Sequence, residues 1–400
     1  MPAPLLTIAV PTYNREADLR RLLDCLDREL AAPGAEGVMV LVSDNASPDG
    51  TWALLQEAAA TRPWLRPHRQ AENLGPVGNL QWLVANASAA EYLWCFGDDD
   101  LILPGGLATV VAALREERPA WLFLPHRFVD DDQREVQRSA APADGARERY
   151  ATAGALYQAY HHWLTFLTAS IVRADAFRHA VAVEDTENEY IPLLWFFRAG
   201  LEGPCVVAGE HVVAASQNIT WADRAHKIQT LDFTSLWDDG LRTGMTEAEF
   251  GATLDGLYGS GWGLRLWRQQ PIEQLLRVVA RFPQSRGLRG FLWTIAREQD
   301  RRDALPVLAQ AARATGDDAR ARALVAAGEE RFAAGDRDGA ATRFAEATQL
   351  APTEVDAWND LAVAVSHRAP ADAEELLRSA LFIAPDDPSA LANLAALGEP

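Results

Sequence analysis

Three consecutive carboxylates, Asp98-Asp99-Asp100, follow an apolar run, Tyr92-Leu93-Trp94-Cys95-Phe96, after a single glycine. Adjacent carboxylates repel one another, which raises their pKa values and destabilises the loop unless a cation sits among them. A hard divalent ion, Mg2+ or Mn2+, held by one or two carboxylates and by phosphate oxygens, meets that need. The plain alternative is an acidic surface loop, yet such loops rarely follow a strand this apolar. Other polar clusters also stand where apolar runs end. Leu6 to Val10 leads into Pro11-Thr12-Tyr13-Asn14-Arg15, and Val38 to Val42 into Ser43-Asp44-Asn45-Ala46-Ser47-Pro48-Asp49-Gly50-Thr51. Asp44 suits either an Asx turn or a hydrogen bond to a nucleobase edge. Asp49 and Thr51 read as turn and N-cap residues of the next helix. Near Asn73-Leu74-Gly75 and Asn79 a helix N-terminus offers free N–H groups to an anion. Arg15 and Arg69 could bring positive charge to a diphosphate or be solvated surface residues.

The elements that position these residues follow from periodicity. Leu6–Val10, Val38–Val42 and Tyr92–Phe96 are short buried strands, and apolar positions at Leu19, Leu22, Leu23, Leu26 and Leu30 mark a helix. Further helices are expected over 51–60 and 78–87. Strands of continuous apolar residues separated by helices imply a mostly parallel, Rossmann-like sheet with helices on both faces, and ligands beyond its C-terminal strand ends. Residues 121–124, 168–172 and 206–207 suggest more strands, 130–149 a charged loop, and 191–199 a helix. From about 235 to 314 the reading is helical, with aromatic anchors at Trp237, Trp262, Trp267 and Trp293. The expected domains are 1–230, a helical linker region at 231–315, and 316–400.

The last region repeats. Leu324, Trp358 and Leu391 stand 34 and 33 residues apart, and Ala340, Phe344, Ala347 and Pro352 return 33 residues later as Ala373, Leu377, Ala380 and Pro385. This pattern resembles the tetratricopeptide repeat, pairs of antiparallel helices with small residues at the crossing. Two and a half such units are marginal alone, so docking on the helical region before them is expected.

The N-terminal motifs, taken in order at successive strand ends, resemble family 2 glycosyltransferases, inverting enzymes of the GT-A fold, over roughly residues 5 to 115. The resemblance implies a nucleoside-diphosphate-sugar donor and a divalent metal. It implies that Asp44 and the backbone near Pro11, Thr12 and Asn14 contact the base. Asn45, Asn73, Gly75 and Asn79 then lie beside the nucleotide, with Arg15 toward the diphosphate. The family's common Asp-x-Asp-Asp pattern would begin at Gly97, so Asp99 and Asp100 are the implied metal ligands and Asp98 lies near the donor ribose. A general base is implied some eighty residues further on, where Glu184-Asp185-Thr186-Glu187-Asn188-Glu189 precedes a helix; Asp185 is the first choice and Glu189 the second. His211 or His226 are the histidines that could approach the metal. The acceptor would be a glycan, a lipid-linked saccharide or a protein. Residues 316–400 would serve a protein partner or self-association.

Composition removes other classes. A net charge of -19, with Lys227 the only lysine, excludes a nonspecific nucleic-acid binder. Cys25, Cys95 and Cys205 are odd in number and flanked by apolar residues, which fits free thiols in a reducing compartment. No signal peptide or membrane span is read, so the expectation is a cytoplasmic protein, either free or peripheral at the membrane. No hydrolase triad order or Walker loop is present. A nucleotidyltransferase would show a Gly-rich, Lys-containing loop after the first strand, and none is there. The rival from another class is an inactive transferase-like scaffold that works through its repeats.

Overall fold

Strand Leu6–Thr12 (β1) pairs in parallel with Val38–Asp44 (β2), from Leu6 opposite Val38 to Thr12 opposite Asp44. On its other side β1 pairs in parallel with Tyr92–Cys95 (β4), and β2 pairs in parallel with Leu65–Arg69 (β3). Ile8, Val10, Val40, Val42 and Trp94 on one face and Ala9, Leu93 and Cys95 on the other have no exposed surface, as strands covered on both faces require. The covering helices include Glu16–Ala31 (α1), Thr51–Thr61 (α2), Gly75–Asn86 (α3) and Gly106–Glu117 (α4). β3 escapes sequence reading because Leu65-Arg66-Pro67-His68-Arg69 shows neither an apolar run nor alternation. It is an edge strand, where Pro67 can be accommodated.

This computed structural model describes residues 3–87, 90–130, 132–181, 188, 191–216, 246, 250 and 272–398. The chain divides into two compact units, Met1–Phe250 and Gly251–Pro400. The first unit continues through Leu101–Ile102 (β5), Trp121–Phe123 (β6), His126–Val129 (β7), Glu135–Arg138 (β8), Glu148–Tyr150 (β9), Ala153–Tyr160 (α5), Ser170–Arg173 (β10), Ala174–Val181 (α6), Ile191–Gly200 (α7), Cys205–Val207 (β11) and Val213–Ser216 (β12). The main sheet has the order β3-β2-β1-β4-β10-β6-β11-β9, and a second sheet the order β5-β12-β7-β8.

The main sheet is mostly parallel, as expected, with antiparallel pairing beyond β4, where β10 runs antiparallel to both β4 and β6 and β9 antiparallel to β11. Apolar patterning marks a strand but not its direction. One expectation needs correction. The stretch 130–149 is not all loop: β8 pairs with β7 and β9 with β11. All four residues of β8 are exposed, so no buried face writes an alternation into the sequence.

The second unit is helical among its described residues: Ile272–Arg281 (α8), Arg286–Glu298 (α9), Ala304–Thr315 (α10), Asp317–Ala333 (α11), Arg337–Leu350 (α12), Val355–Val365 (α13), Pro370–Ile383 (α14) and Pro388–Leu397 (α15). The helices α11/α12 and α13/α14 form successive pairs. A Cβ on Gly328 would come within 2.4 Å of the Phe344 ring, so only glycine lets α11 and α12 approach this closely. The helices before the pairs pack on them within one unit, as expected for a short array. Trp293 of α9 stacks on Trp358 of α13 at 5.2 Å, and Arg297 donates to Ser379 and Glu375 of α14.

Candidate functional site

The parallel strands β2, β1 and β4 end side by side, and their register brings the polar clusters to one edge of the sheet. Thr12 sits opposite Asp44, and on the other side Phe96 N donates to the Ala9 carbonyl, so the aspartate loop leaves beside Pro11 and Thr12.

Asp44 has no exposed surface, and its two oxygens have different surroundings. Oδ1 accepts the Ser47 N–H at 3.0 Å, which is the Asx turn. Oδ2 is buried and accepts no hydrogen bond; Arg69 Nε lies 3.4 Å from it. Arg69 also donates to the Ser47 carbonyl at 2.9 Å and lies over the Trp52 ring. Oδ1 therefore serves the turn, and Oδ2 faces Arg69. Ser47 Oγ accepts the N–H of Asn14, whose φ of 56° is a left-handed conformation that asparagine tolerates. That bond ties the loop after β1 to the loop after β2.

Asn45, Asn73 and Gly75 form one knot. Asn45 Nδ2 donates to Asn73 Oδ1 at 2.8 Å and to the Gly75 carbonyl at 3.2 Å, while its Oδ1 accepts from Leu74 N. The knot fixes the N-terminal turn of α3 against the end of β2. Asn79 works from behind it. Its Nδ2 donates to the Ser43 carbonyl, its Oδ1 accepts from Ser43 Oγ at 2.6 Å, and Gln70 Nε2 donates to the same Ser43 hydroxyl. Asn79 is buried and its amide is turned toward β2, so it braces the strand end.

The three aspartates face different ways. Asp100 is 3% exposed; its Oδ2 accepts from Thr168 Oγ1 at 2.5 Å and its Oδ1 from Ser216 N at 2.9 Å. Thr168 Oγ1 also accepts the Gly97 N–H. Asp99 pairs with Arg15 at 3.3 Å, and Asp98 lies beside Thr12. Burial pushes the Asp98 carboxyl up to about 7, against the opposing influence of Thr12 and Arg15. Burial also raises Asp99 and Asp100, and the charge of Asp99 adds to the rise at Asp100. Among the described residues, no three or more His, Cys, Asp or Glu side chains already converge as a metal cluster.

The glycine at position 97 has a steric reason. A Cβ there would lie 2.6 Å from Asp100 Oδ2 and 3.2 Å from Thr168 Oγ1. The inward turn of Asp100 occupies the space a side chain would need. The loop is held from beyond as well: β5 pairs with β12, Leu103 N donates to the Val212 carbonyl, and buried Glu29 of α1 accepts from Gly105 N and Leu107 N at the start of α4. A carboxylate at a helix N-terminus is favourable for the helix dipole as well as for the free N–H groups.

Thr168 and Ser216 were invisible to sequence reading, because their link to Asp100 spans 68 and 116 residues. Arg69, read either as charge for a diphosphate or as a solvated surface residue, pairs with Asp44. Asp185, Glu189 and His226 lie outside the described residues. His211 Nε2 meets the Ser139 carbonyl at 3.2 Å. Cys25, Cys95 and Cys205 are free and buried.

Residues 7–180, somewhat under half of the chain, match the family model described as Glycosyl transferase family 2. An abequosyltransferase of Salmonella typhimurium is 29% identical over 119 residues, 30% of this chain and 35% of that protein. An uncharacterized protein of Mycobacterium tuberculosis is 31% identical over 135 residues, 34% of this chain and 40% of that protein. The chain thus spans well under half the length of these curated relatives. Among solved structures, S. aureus TarS 1-349 in complex with UDP-GlcNAc superposes with a TM-score of 0.52 at 16% identity, covering 72% of this chain and 83% of that one. A second S. aureus TarS structure gives 0.51 at 18% identity, covering 70% and 49%. At such identities the likeness is one of fold, and the fold of the sheet and its helices is GT-A.

Proposed function

We propose that the N-terminal unit binds a nucleoside-diphosphate sugar across the ends of β2, β1 and β4 and transfers the sugar, with inversion, to a hydroxyl acceptor. The observation that carries this reading is the buried Asp44 Oδ2, which accepts no hydrogen bond, at the same sheet edge as Asp98, Asp99 and Asp100. Arg69 gives that oxygen an ion pair at 3.4 Å without a hydrogen bond, so the carboxylate keeps acceptor capacity for the N–H of a nucleobase. The family 2 match over residues 7–180 and the abequosyltransferase relative support glycosyl transfer.

In this reading the base lies along Pro11, Thr12, Asn14 and Asp44, with Arg69 orienting the Asp44 carboxylate. Asn45, Asn73 and Gly75 hold the adjoining loop, and Asn79 braces it. Asp98 serves the donor ribose, and Arg15, paired to Asp99, supplies positive charge for the diphosphate. Asp99 and Asp100 are the residues that would hold Mg2+ or Mn2+. The donor set fits a hard cation: the side chain of Asp99 is about one-fifth exposed, and a carboxylate such as Asp100 has lone pairs beyond the two bonds it accepts. A bound cation would supply charge to stabilise the departing diphosphate. Asp185, or Glu189 in second place, takes the acceptor's proton as the new C–O bond forms; the electron pair of the broken bond leaves on the diphosphate.

The acceptor class is a glycan, a lipid-linked saccharide or a protein. No helix among the described residues is long and apolar enough to cross a membrane, and a cytoplasmic enzyme working peripherally at the membrane fits a lipid-linked acceptor. The helix pairs of residues 316–400, read as tetratricopeptide-like, would serve a protein partner or self-association.

The test is donor hydrolysis by the full chain across UDP-, GDP-, dTDP- and CDP-sugars, with and without Mn2+. One donor class should be consumed in a metal-dependent way. Asp44→Asn should weaken its binding at least about tenfold, on the scale of one charge-assisted hydrogen bond. Asp100→Ala should abolish turnover. No consumption of any donor, or full activity in Asp100→Ala, would sink the reading.

A further inference from the structure

The second unit contains a cleft of about 170 Å³ bounded by α11, α12 and α13 and lined by Glu329, Phe332, Ala333, Phe344, Asp360 and Val363. Its lining combines two kinds of chemistry. Phe332, Phe344 and Val363 make an apolar wall, and Glu329 and Asp360 place two carboxylates at the same opening. Neither carboxylate has an ion pair among the described residues; the contact recorded for Asp360 is the Asn359 amide, which donates to it at 3.3 Å. The charges that bear on Asp360 are both negative, Glu329 and Asp356, and with burial they raise its carboxyl to about 6. The two carboxylates therefore stand at the cleft without a cationic partner among the described residues.

A bare metal ion is a poor occupant. No described group of three or more His, Cys, Asp or Glu could hold one, and four of the six lining residues are apolar. A cation carried on an aliphatic stem meets both halves at once, since such side chains bury the stem and keep the charged head on polar partners. A planar guanidinium matches carboxylates by bidentate hydrogen bonds and packs on aromatic rings, which an ammonium does less well. Phe332 already shows that preference: the Arg337 guanidinium lies 5.1 Å from its ring centroid.

We propose that this cleft receives an arginine side chain of a partner polypeptide, its stem against Phe332, Phe344 and Val363 and its guanidinium at Glu329 and Asp360. The inference is independent of the donor site and survives or fails without it.

The experiment pans a phage-displayed random peptide library on the full chain and measures the recovered peptides, made synthetically, by fluorescence anisotropy. Recovered peptides should carry an arginine. Replacing it with citrulline, its neutral isostere, should weaken binding at least tenfold. Glu329→Gln with Asp360→Asn should cause a similar loss, and citrulline should then add little to it, the non-additivity expected of groups in contact. Glu329→Gln alone, at an exposed position, gives a partial loss and keeps the test valid if Asp360→Asn does not fold. Recovery of no binding peptide overturns the proposal. So do peptides without arginine, lysine peptides that bind as well as arginine peptides, or binding indifferent to both acid substitutions.

Discussion

At residue 97 the loop has room for a hydrogen and little more, because the Asp100 carboxylate turns inward to Thr168 and Ser216. Gly97→Ala, and more so Gly97→Asp, should lower stability by roughly 1–3 kcal/mol, the usual cost of overpacking. Denaturant unfolding would measure this, and an unchanged midpoint would mean that Asp100 can move aside. The raised carboxyls nearby set a pH dependence. Between the ordinary aspartate range near 4 and about 7, Asp98 binds more proton folded than unfolded. Stability from this group is therefore fully present at low pH and falls as pH rises through that window. A divalent cation binds the ionised form, so Mn2+ should raise the melting temperature strongly at pH 8 and weakly at pH 5. Thermal scans with Mn2+ and with EDTA would decide; equal Mn2+ effects at both pH values would remove the cation from this loop.

At the scale of elements, the site depends on short segments from distant parts of the chain. The turn between β10 and the segment before it delivers Thr168, and the end of β12 delivers Ser216, on either side of one carboxylate. Thr168→Val keeps the shape but leaves Asp100 Oδ2 and the Gly97 N–H without their common partner. A loss of about 1–3 kcal/mol follows from unsatisfied buried groups. Thr168→Ser should recover most of it. Equal stability of the valine and serine variants, compared by urea midpoints, would show that the hydroxyl holds nothing.

At the scale of the whole molecule, the two units have different centres. The sheet unit is organised about the strand ends, whereas the helical unit holds a buried ion pair. Arg289 has no exposed surface and pairs with Asp317 at the start of α11, where Arg286 and Arg320 also approach. Breaking a buried pair leaves a charge uncompensated, so Asp317→Ala should cost about 3–5 kcal/mol. The arginines also hold the Asp317 carboxyl below its ordinary range despite its burial. Its contribution is thus present above the unfolded-state pKa and lost as pH falls through the folded one. Calorimetry of the full chain should show a transition lowered by Asp317→Ala at pH 7 and less affected in acid; an unmoved transition would count against the pair.

The ends of the central strands β1, β2 and β4, and the polar residues that stand there, are legible in the order of amino acids alone. An apolar run and the turn chemistry after it are local properties. The helix pairs are legible too, since Ala340, Phe344 and Ala347 return 33 residues later as Ala373, Leu377 and Ala380, the spacing of a helical crossing. The edge strand β3, the exposed β8 and the antiparallel insertion of β10 were illegible, because their pairing is set by neighbours and not by a buried face of their own. The surroundings of each carboxylate emerge only from the folded chain. Asp44 divides its oxygens between a turn and the Arg69 guanidinium, and three adjacent aspartates point to Thr12, Arg15 and Thr168. The direction a side chain takes is fixed by partners dozens of residues away, and no spacing along the chain records that.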